Sequence, residues 1–227
     1  MCTSVISRGS RVLIGMNFDN NGMKYAAKIS EPGVYTVSVD AGFGKYPSFG
    51  VRADGTFANN LIVESNGKGE YRRPSKYVTT TTKLVSDVLG GKIPSEEICA
   101  YLDSGITVLN TPAYSTHNMI ADNRGNVWIV EPGRGILFSA RQESPYCVLT
   151  NASVIDAVEP DCVRYRTAKS MLEKKSNPEV SDLFEVLSAV SQNGEWKTEL
   201  SMVYDSSARK LYTCSERHFD EIAELHL

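Results

Sequence analysis

Between residues 116 and 150 four short apolar runs follow one another with little between them, and this spacing restricts the fold more than any other feature of the chain. The runs are Thr116-His-Asn-Met-Ile-Ala121, Val127-Trp-Ile-Val-Glu131, Gly135-Ile-Leu-Phe138 and Tyr146-Cys-Val-Leu-Thr150, with turn residues at 122–126 and at Pro132-Gly133. They read as a strand meander. Parallel neighbours would need crossovers of about a dozen residues or more, which are absent here. Helical patterns lie elsewhere, at 79–89, from Pro94 through Leu102, at 161–172 and at 180–190. Hairpin-rich sheets with segregated helices imply an α+β fold rather than a doubly wound parallel sheet. A length of 227 residues suits one domain spanning 1–227 with a sizeable core.

Local signals refine this outline. In 79–89 the residues Leu84, Val85, Val88 and Leu89 share a face, and Gly90-Gly91 ends the helix. Ser95 reads as the N-cap of the next helix, with Ile98, Tyr101 and Leu102 as its buried side. Asp161 reads as the cap of the third, with Val163, Ala168, Met171 and Leu172 inward, and Leu183, Phe184, Leu187 and Val190 form the stripe of the fourth. Residues 34–39 and 57–64 read as strands, and 41–45 and 65–74 as loops. The Gly-x-Gly-Lys fragment in 41–45 lacks the spacing of a phosphate loop. Two strands joined by 205–209 close the chain, and the acidic tail past Cys214 is expected to fray or dock weakly.

The N-terminus carries the first candidate chemistry. Residues 2–6 read as a strand, Arg8-Gly9-Ser10 as a turn, and 11–15 as a second strand. That strand runs on into Gly15-Met16-Asn17-Phe18-Asp19-Asn20, polar where a core strand should stay apolar. The hairpin brings Asp19 back beside Cys2, since opposed Cβ atoms in such a pair lie about 4.5–5.5 Å apart. If Met1 is trimmed, Cys2 holds a thiol and an α-amine on one residue, and the amine, with a pKa of about 8, can take the thiol proton. The structural alternatives are a small buried residue for Cys2 and a turn former for Asp19. Asn151, at the end of the fourth run, is either a turn residue or a rigid oxyanion donor. Arg164 and Arg166 stand in the first turn of a helix, where the dipole disfavours cations, so one of them is expected to serve a site. Of the neighbouring amides Asn59 and Asn60 in the 57–64 run, one is expected to satisfy a turn or face a pocket. His117 has no nearby acid in sequence and reads as a hydrogen-bonded core or sheet-edge histidine.

Composition excludes several classes. A net charge of −3 lacks the basic excess of a nucleic-acid surface, and no apolar stretch is long enough for a membrane span. The first residues lead into Arg8 and Gly9 rather than an apolar signal segment. Five widely spaced cysteines suit a reducing compartment, so a cytoplasmic location is expected. The three histidines show no metal-ligand spacing, and no metal site is expected.

Taken in order, these motifs resemble the choloylglycine hydrolase group of the N-terminal nucleophile superfamily, which includes bile salt hydrolases and penicillin V acylases. Met1-Cys2-Thr3 is similar to the group's start, and Gly15-Met16-Asn17-Phe18-Asp19 to its Gly-Arg-Asn-x-Asp. The stretch from His117 to Asp122, with Gly125 and Glu131-Pro132, follows its central meander. Val148-Leu149-Thr150-Asn151 matches its Leu-Thr-Asn signature, Arg164-Tyr165 its Arg-aromatic step, and 196–212 its closing hairpin. The resemblance implies a four-layer αββα sandwich and hydrolysis of a linear carbon–nitrogen amide in a small N-acyl substrate through a thioester, without a cofactor. It assigns Cys2 as nucleophile with its own α-amine as base, Asp19 as the group positioning that amine, Asn151 as oxyanion donor and Arg164 as an electrostatic partner. A substrate-contacting residue is expected near 60–62, with Asn60 the nearest polar candidate. The chain departs from the group at Met16, where an arginine would place a cation near the thiol, and in being shorter than typical bile salt hydrolases. An acyltransferase on the same scaffold and a catalytically idle member are the rival readings. A homo-oligomer stays open, and the group's tetramer is not carried over.

Overall fold

β1 (Thr3–Arg8) and β2 (Val12–Asn20) form the expected hairpin, with Thr3 opposite Asn17 and Arg8 opposite Val12. The computed structural model describes residues 1–30, 33–40, 42, 44–157 and 159–227. Residues 41 and 43 of the expected 41–45 loop lie outside the described residues. After the hairpin the chain builds β3 (Tyr25–Ser30), β4 (Val34–Asp40), β5 (Lys45–Arg52), β6 (Phe57–Asn59), β7 (Leu61–Ile62) and β8 (Val78–Thr80). Then come α1 (Thr81–Leu89), a short 3-10 turn, α2 (Ile98–Asp103), β9 (Thr107–Leu109), β10 (Thr116–Ala121), β11 (Val127–Glu131) and β12 (Gly135–Ser139). It closes with β13 (Tyr146–Leu149), α3 (Val163–Leu172), α4 (Val180–Ala189), β14 (Lys197–Asp205), β15 (Lys210–Ser215) and β16 (Ala223–His226).

These elements form two compact units, one of Met1–Gly22 with Ala140–Leu227 and the other of Met23–Ser139. The first is an antiparallel sheet in the order β13-β1-β2-β14-β15-β16 with α3 and α4 on one face. Val5, Leu13, Val148 and Val203 pack there against Ala168, Leu172, Leu183, Phe184 and Leu187. The second is an antiparallel sheet in the order β12-β11-β10-β6-β5-β4-β3, with β8 and β9 as a separate parallel pair. Leu84, Val85, Val88 and Leu89 of α1 and Ile98 and Leu102 of α2 join its core with Ala58, Ile120 and Trp128.

Each unit has a strand glycine at a crowded point of its core. A Cβ on Gly15 would lie 2.7 Å from Val5 Cγ2 of the paired strand β1, while methyls of Leu183 and Leu187 in α4 would sit at an ordinary 3.5 Å, so glycine here clears the Val5 side chain beneath α4. A Cβ on Gly50 of β5 would meet Tyr35 O at 2.6 Å and Leu89 of α1 at 2.7 Å.

Several expectations are corrected. The fourth run of the meander does not continue it: β13 pairs with β1 in the first unit, Ser4 opposite Leu149, while β10, β11 and β12 stay in the second. The 57–64 strand is broken at Asn60, because Asn59 Oδ1 accepts Met119 N–H (2.7 Å) in place of a ladder carbonyl. β3 went unread because Tyr25 to Ile29 are all exposed and so lack alternation, and β5 because it holds Pro47 beside a bulge opposite Val37 and Ser38. Ser95 does not cap α2; its hydroxyl accepts Asn123 N–H (2.9 Å). Asp161 does not cap α3, whose N-cap is Cys162; it pairs instead with Arg166 at the surface, and Val163 is 70% exposed rather than inward. The tail is tied down, since β16 pairs with β15 from Thr213–Ala223 to Lys210–His226. His117 is a core histidine, and its acid partner is Glu131, brought opposite by the β10–β11 register with Nδ1 and Oε1 3.3 Å apart.

Gly15→Ala is expected to destabilise the chain by about 1–3 kcal/mol, the usual penalty for overpacking a close contact. Urea titration would show a lower midpoint at unchanged slope, and an unaltered midpoint would mean that Val5 makes room for the methyl without cost.

Candidate active site

One face of β2 changes character along its length. Leu13 packs under the helices, Gly15 lies beside Val5 beneath α4, Asn17 donates through Nδ2 to Leu187 O of α4 (2.7 Å), and Asp19 ends the series. Ser201 of β14 donates to Asn17 Oδ1 (2.7 Å), so the amide is held from both sides. This pinning fixes the end of α4 and the residues just past it, among them Gln192.

Asp19 is buried, its side chain fully so, and it is surrounded by donors. Thr198 Oγ1 donates to Oδ1 (2.5 Å) and Gln192 Nε2 to Oδ2 (2.5 Å), while Arg164 Nη1 lies 3.7 Å from Oδ2. Thr198 is delivered by the β2–β14 register, which sets it opposite Asp19. Burial pushes the Asp19 carboxyl up to about 6, and the Thr198 bond, the α-amine, Gln192 and Arg164 each pull it back. The folded chain binds this proton more tightly than the unfolded one, so ionised Asp19 costs about 3 kcal/mol at neutral pH. That cost is relieved as pH falls from about 6 toward about 4.

Cys2 is buried at 8% exposure, with its sulfur over the Asp19 backbone: Asp19 N–H donates to Sγ (3.4 Å), and Sγ lies 3.7 Å from Asp19 O. Burial, then the Asp19 charge, push the thiol up to about 11 against the α-amine, the backbone bond and Arg164. At pH 7 the thiol is therefore held in its neutral form. With Met1 attached, the Cys2 nitrogen is an amide and not a base. The α-ammonium sits one residue earlier, donating to Asp19 O (3.2 Å), and burial lowers its pKa.

Arg164, in the first turn of α3, turns its guanidinium to the N-terminal strand, whereas Arg166 pairs with Asp161 in solvent. Its Nη1 donates to Cys2 O (2.7 Å) and Thr3 Oγ1 (2.9 Å), and its Nη2 to Asn151 Oδ1 (3.0 Å). A guanidinium has no acceptor, so this bond settles the Asn151 amide with oxygen toward Arg164 and the NH₂ turned away. Thr150, which donates to Cys162 Sγ (3.4 Å) at the start of α3, ties the end of β13 to the helix bearing Arg164.

Cys2, Asp19, Asn151 and Arg164, far apart in sequence, therefore meet in one hydrogen-bonded cluster. Asn60 belongs to the second unit, where its Nδ2 donates to Thr82 (3.0 Å) and its Oδ1 accepts from Asn118 (3.2 Å). Met16 is buried on the same face of β2 as Phe18, opposite Ser4, whose hydroxyl contacts its sulfur. Gln192 and Thr198 were not found from sequence. Gln192 carries no signal beyond being polar past a helix end, and Thr198 matters only through pairing with a strand 179 residues away. Among the described residues no group of His, Cys, Asp and Glu could hold a metal ion, and no helix is long and apolar enough to cross a membrane.

No protein-family model and no curated protein matches the sequence. Solved structures do. The C2A mutant of conjugated bile acid hydrolase from Clostridium perfringens superposes with a TM-score of 0.70 at 14% identity, over 100% of this chain and 92% of that one. Penicillin V acylase from Agrobacterium tumefaciens gives 0.67 at 17% identity, over 94% and 83%. The Caenorhabditis elegans ortholog of N-acylethanolamine-hydrolyzing acid amidase gives 0.63 at 17%, over 100% of both chains. The chain thus has the α+β fold of these N-terminal nucleophile hydrolases, as the motif resemblance implied.

Thr198→Val removes a hydrogen bond to the ionised form of Asp19 and is expected to move its titration above 6. Carbon-detected NMR of the carboxyl would read this, and an unchanged or lower midpoint would deny Thr198 that role.

Proposed function

We propose that this chain is an amidohydrolase that cleaves a linear carbon–nitrogen amide of an N-acylated small molecule, with Cys2 as nucleophile. The observation that carries the reading is the cluster in which Arg164 binds both the Cys2 backbone and Asn151 while Asp19 lies against the thiol. The fold likeness to hydrolases named for conjugated bile acids, penicillin V and N-acylethanolamines supports the reaction class.

Cleavage of the Met1–Cys2 bond turns the Cys2 amide into an amine. In this reading that amine, held beside Asp19, takes the thiol proton, and Sγ attacks the substrate carbonyl. The oxyanion accepts from Asn151 Nδ2, whose amide Arg164 keeps rigid, and the amine product leaves with the proton. Water then hydrolyses the thioester by the same route in reverse order. No step calls for a cofactor. The chain acts as one functional domain, and its five free thiols suit a reducing compartment such as the cytoplasm.

With residue 1 attached, the thiol lacks its base and is held neutral by burial. Intact chain is expected to be inactive and to react with iodoacetamide at pH 7 roughly a hundredfold more slowly than free cysteine. Chain beginning at Cys2 should hydrolyse an acyl amide, and Cys2→Ala should reduce this to background. Equal turnover by both forms would end the reading. In the cleaved chain Asn151→Ala should lower kcat by about a hundredfold to a thousandfold with a smaller change in KM, as loss of an oxyanion donor does.

A further inference from the structure

With residue 1 in place, the Cys2 nitrogen carries an acyl group, since Met1 seen from that nitrogen is an amide-linked acyl chain. Its carbonyl oxygen accepts from Gln192 Nε2 at 2.7 Å, with Arg164 Nη1 3.5 Å away. Both donors have other anchors, Gln192 on Asp19 Oδ2 (2.5 Å) and Arg164 on Cys2 O (2.7 Å). They therefore stay aimed at this spot whichever acyl group occupies it. Met1 is 41% exposed, so a chain leaving this carbonyl emerges toward solvent and its length is not limited on that side. The site thus holds a seat for an acyl carbonyl bonded to nitrogen as well as a thiol able to carry an acyl group on sulfur.

Resting on the hydrolase reading, we propose that the α-amine of Cys2 is a second acyl acceptor, and that Gln192 and Arg164 hold the N-acyl product it forms. In a fraction of turnovers the acyl group passes from sulfur to nitrogen instead of to water. The amine lone pair attacks the thioester carbonyl through a five-membered ring, the C–N bond forms and the C–S bond breaks. The surplus proton on nitrogen goes to the departing thiolate, so the step consumes no co-reactant. Its product is a Cys2 with a free thiol and an amide nitrogen, the covalent arrangement that Met1 imposes here. The base is lost, the thiol returns to its neutral state, and the chain is silenced by its own substrate. The acyl groups that qualify are unbranched chains whose carbonyl sits against Gln192 and whose tail follows the path of Met1.

The test uses chain beginning at Cys2, with p-nitrophenyl hexanoate as acyl donor and intact mass as readout. Each sample is split, and one half is treated with neutral hydroxylamine, which cleaves thioesters and spares amides. A hexanoyl adduct that survives hydroxylamine, keeps a titratable thiol and grows in step with loss of activity is the expected result. Cys2→Ala, which has an amine but no thiol, should give no such adduct, and an equal amount in that variant would overturn the transfer from sulfur. A hydroxylamine-labile adduct alone would overturn this inference and leave the hydrolase reading standing. No adduct of either kind, with nitrophenolate release equal to that of Cys2→Ala, would overturn the hydrolase reading and the inference with it. Gln192→Leu should lower the resistant adduct formed per nitrophenolate released by about tenfold, the worth of one hydrogen bond. An unchanged amount would overturn the assignment of Gln192 to the seat.

Discussion

A carboxylate buried away from water must find donors inside the protein, and the donors of Asp19 come from the far reaches of its unit. Thr198 is supplied by β14, Gln192 by the segment after α4, and Arg164 by α3. The strand that carries Asp19 also lies beside the strand that follows Cys2, so one side chain ties two strands and two helices to the N-terminus. Each donor forms a bond of ordinary worth, but leaving a buried acceptor unpaired costs more than a single bond contributes. The ion stays costly even with its partners, as the raised pKa records. A fold that retains such a group gives up stability at neutral pH for a fixed negative charge beside a thiol.

That charge works in two directions. Beside an amine it favours the protonated form, and beside a thiol it resists ionisation. With residue 1 attached both effects leave Cys2 inert, because the residue's own nitrogen cannot accept a proton. In the proposed reaction, breaking one peptide bond gives Asp19 an amine to hold in place of an amide. The latent and the competent forms in this reading differ by one peptide bond.

The first hairpin, the four main helices and the closing strands were legible because each rests on local periodicity or turn chemistry. Asp19 stood out as a polar interruption of a core strand, and Arg164 as a cation at the wrong end of a helix dipole. Local rules explain neither oddity, and both residues lie in the cluster. Long-range pairing left no such trace. Nothing in Tyr146-Cys-Val-Leu149 says that it joins β1 rather than β12, since a six-residue link between strands permits either. Thr198 is an ordinary strand residue until β14 lies beside β2. Glu131 could be joined to His117 only once the β10–β11 register was known. The exposed β3 carries no alternation to read, and the caps assigned to Ser95 and Asp161 failed because each side chain had a better partner elsewhere.

The C-terminal strand has a bearing on how this chain behaves in company. β15 would otherwise end the first sheet with a row of open backbone groups, a template on which a strand from another molecule could add. β16 occupies that row with a four-residue strand, and a strand so short offers a newcomer little to pair with. Its outer residues include Glu224, bound to Lys210 of β15, with His226 beside it. Charge at a sheet margin discourages edge-to-edge addition, so the last strand acts as a selvedge that keeps the sheet from unravelling into aggregates.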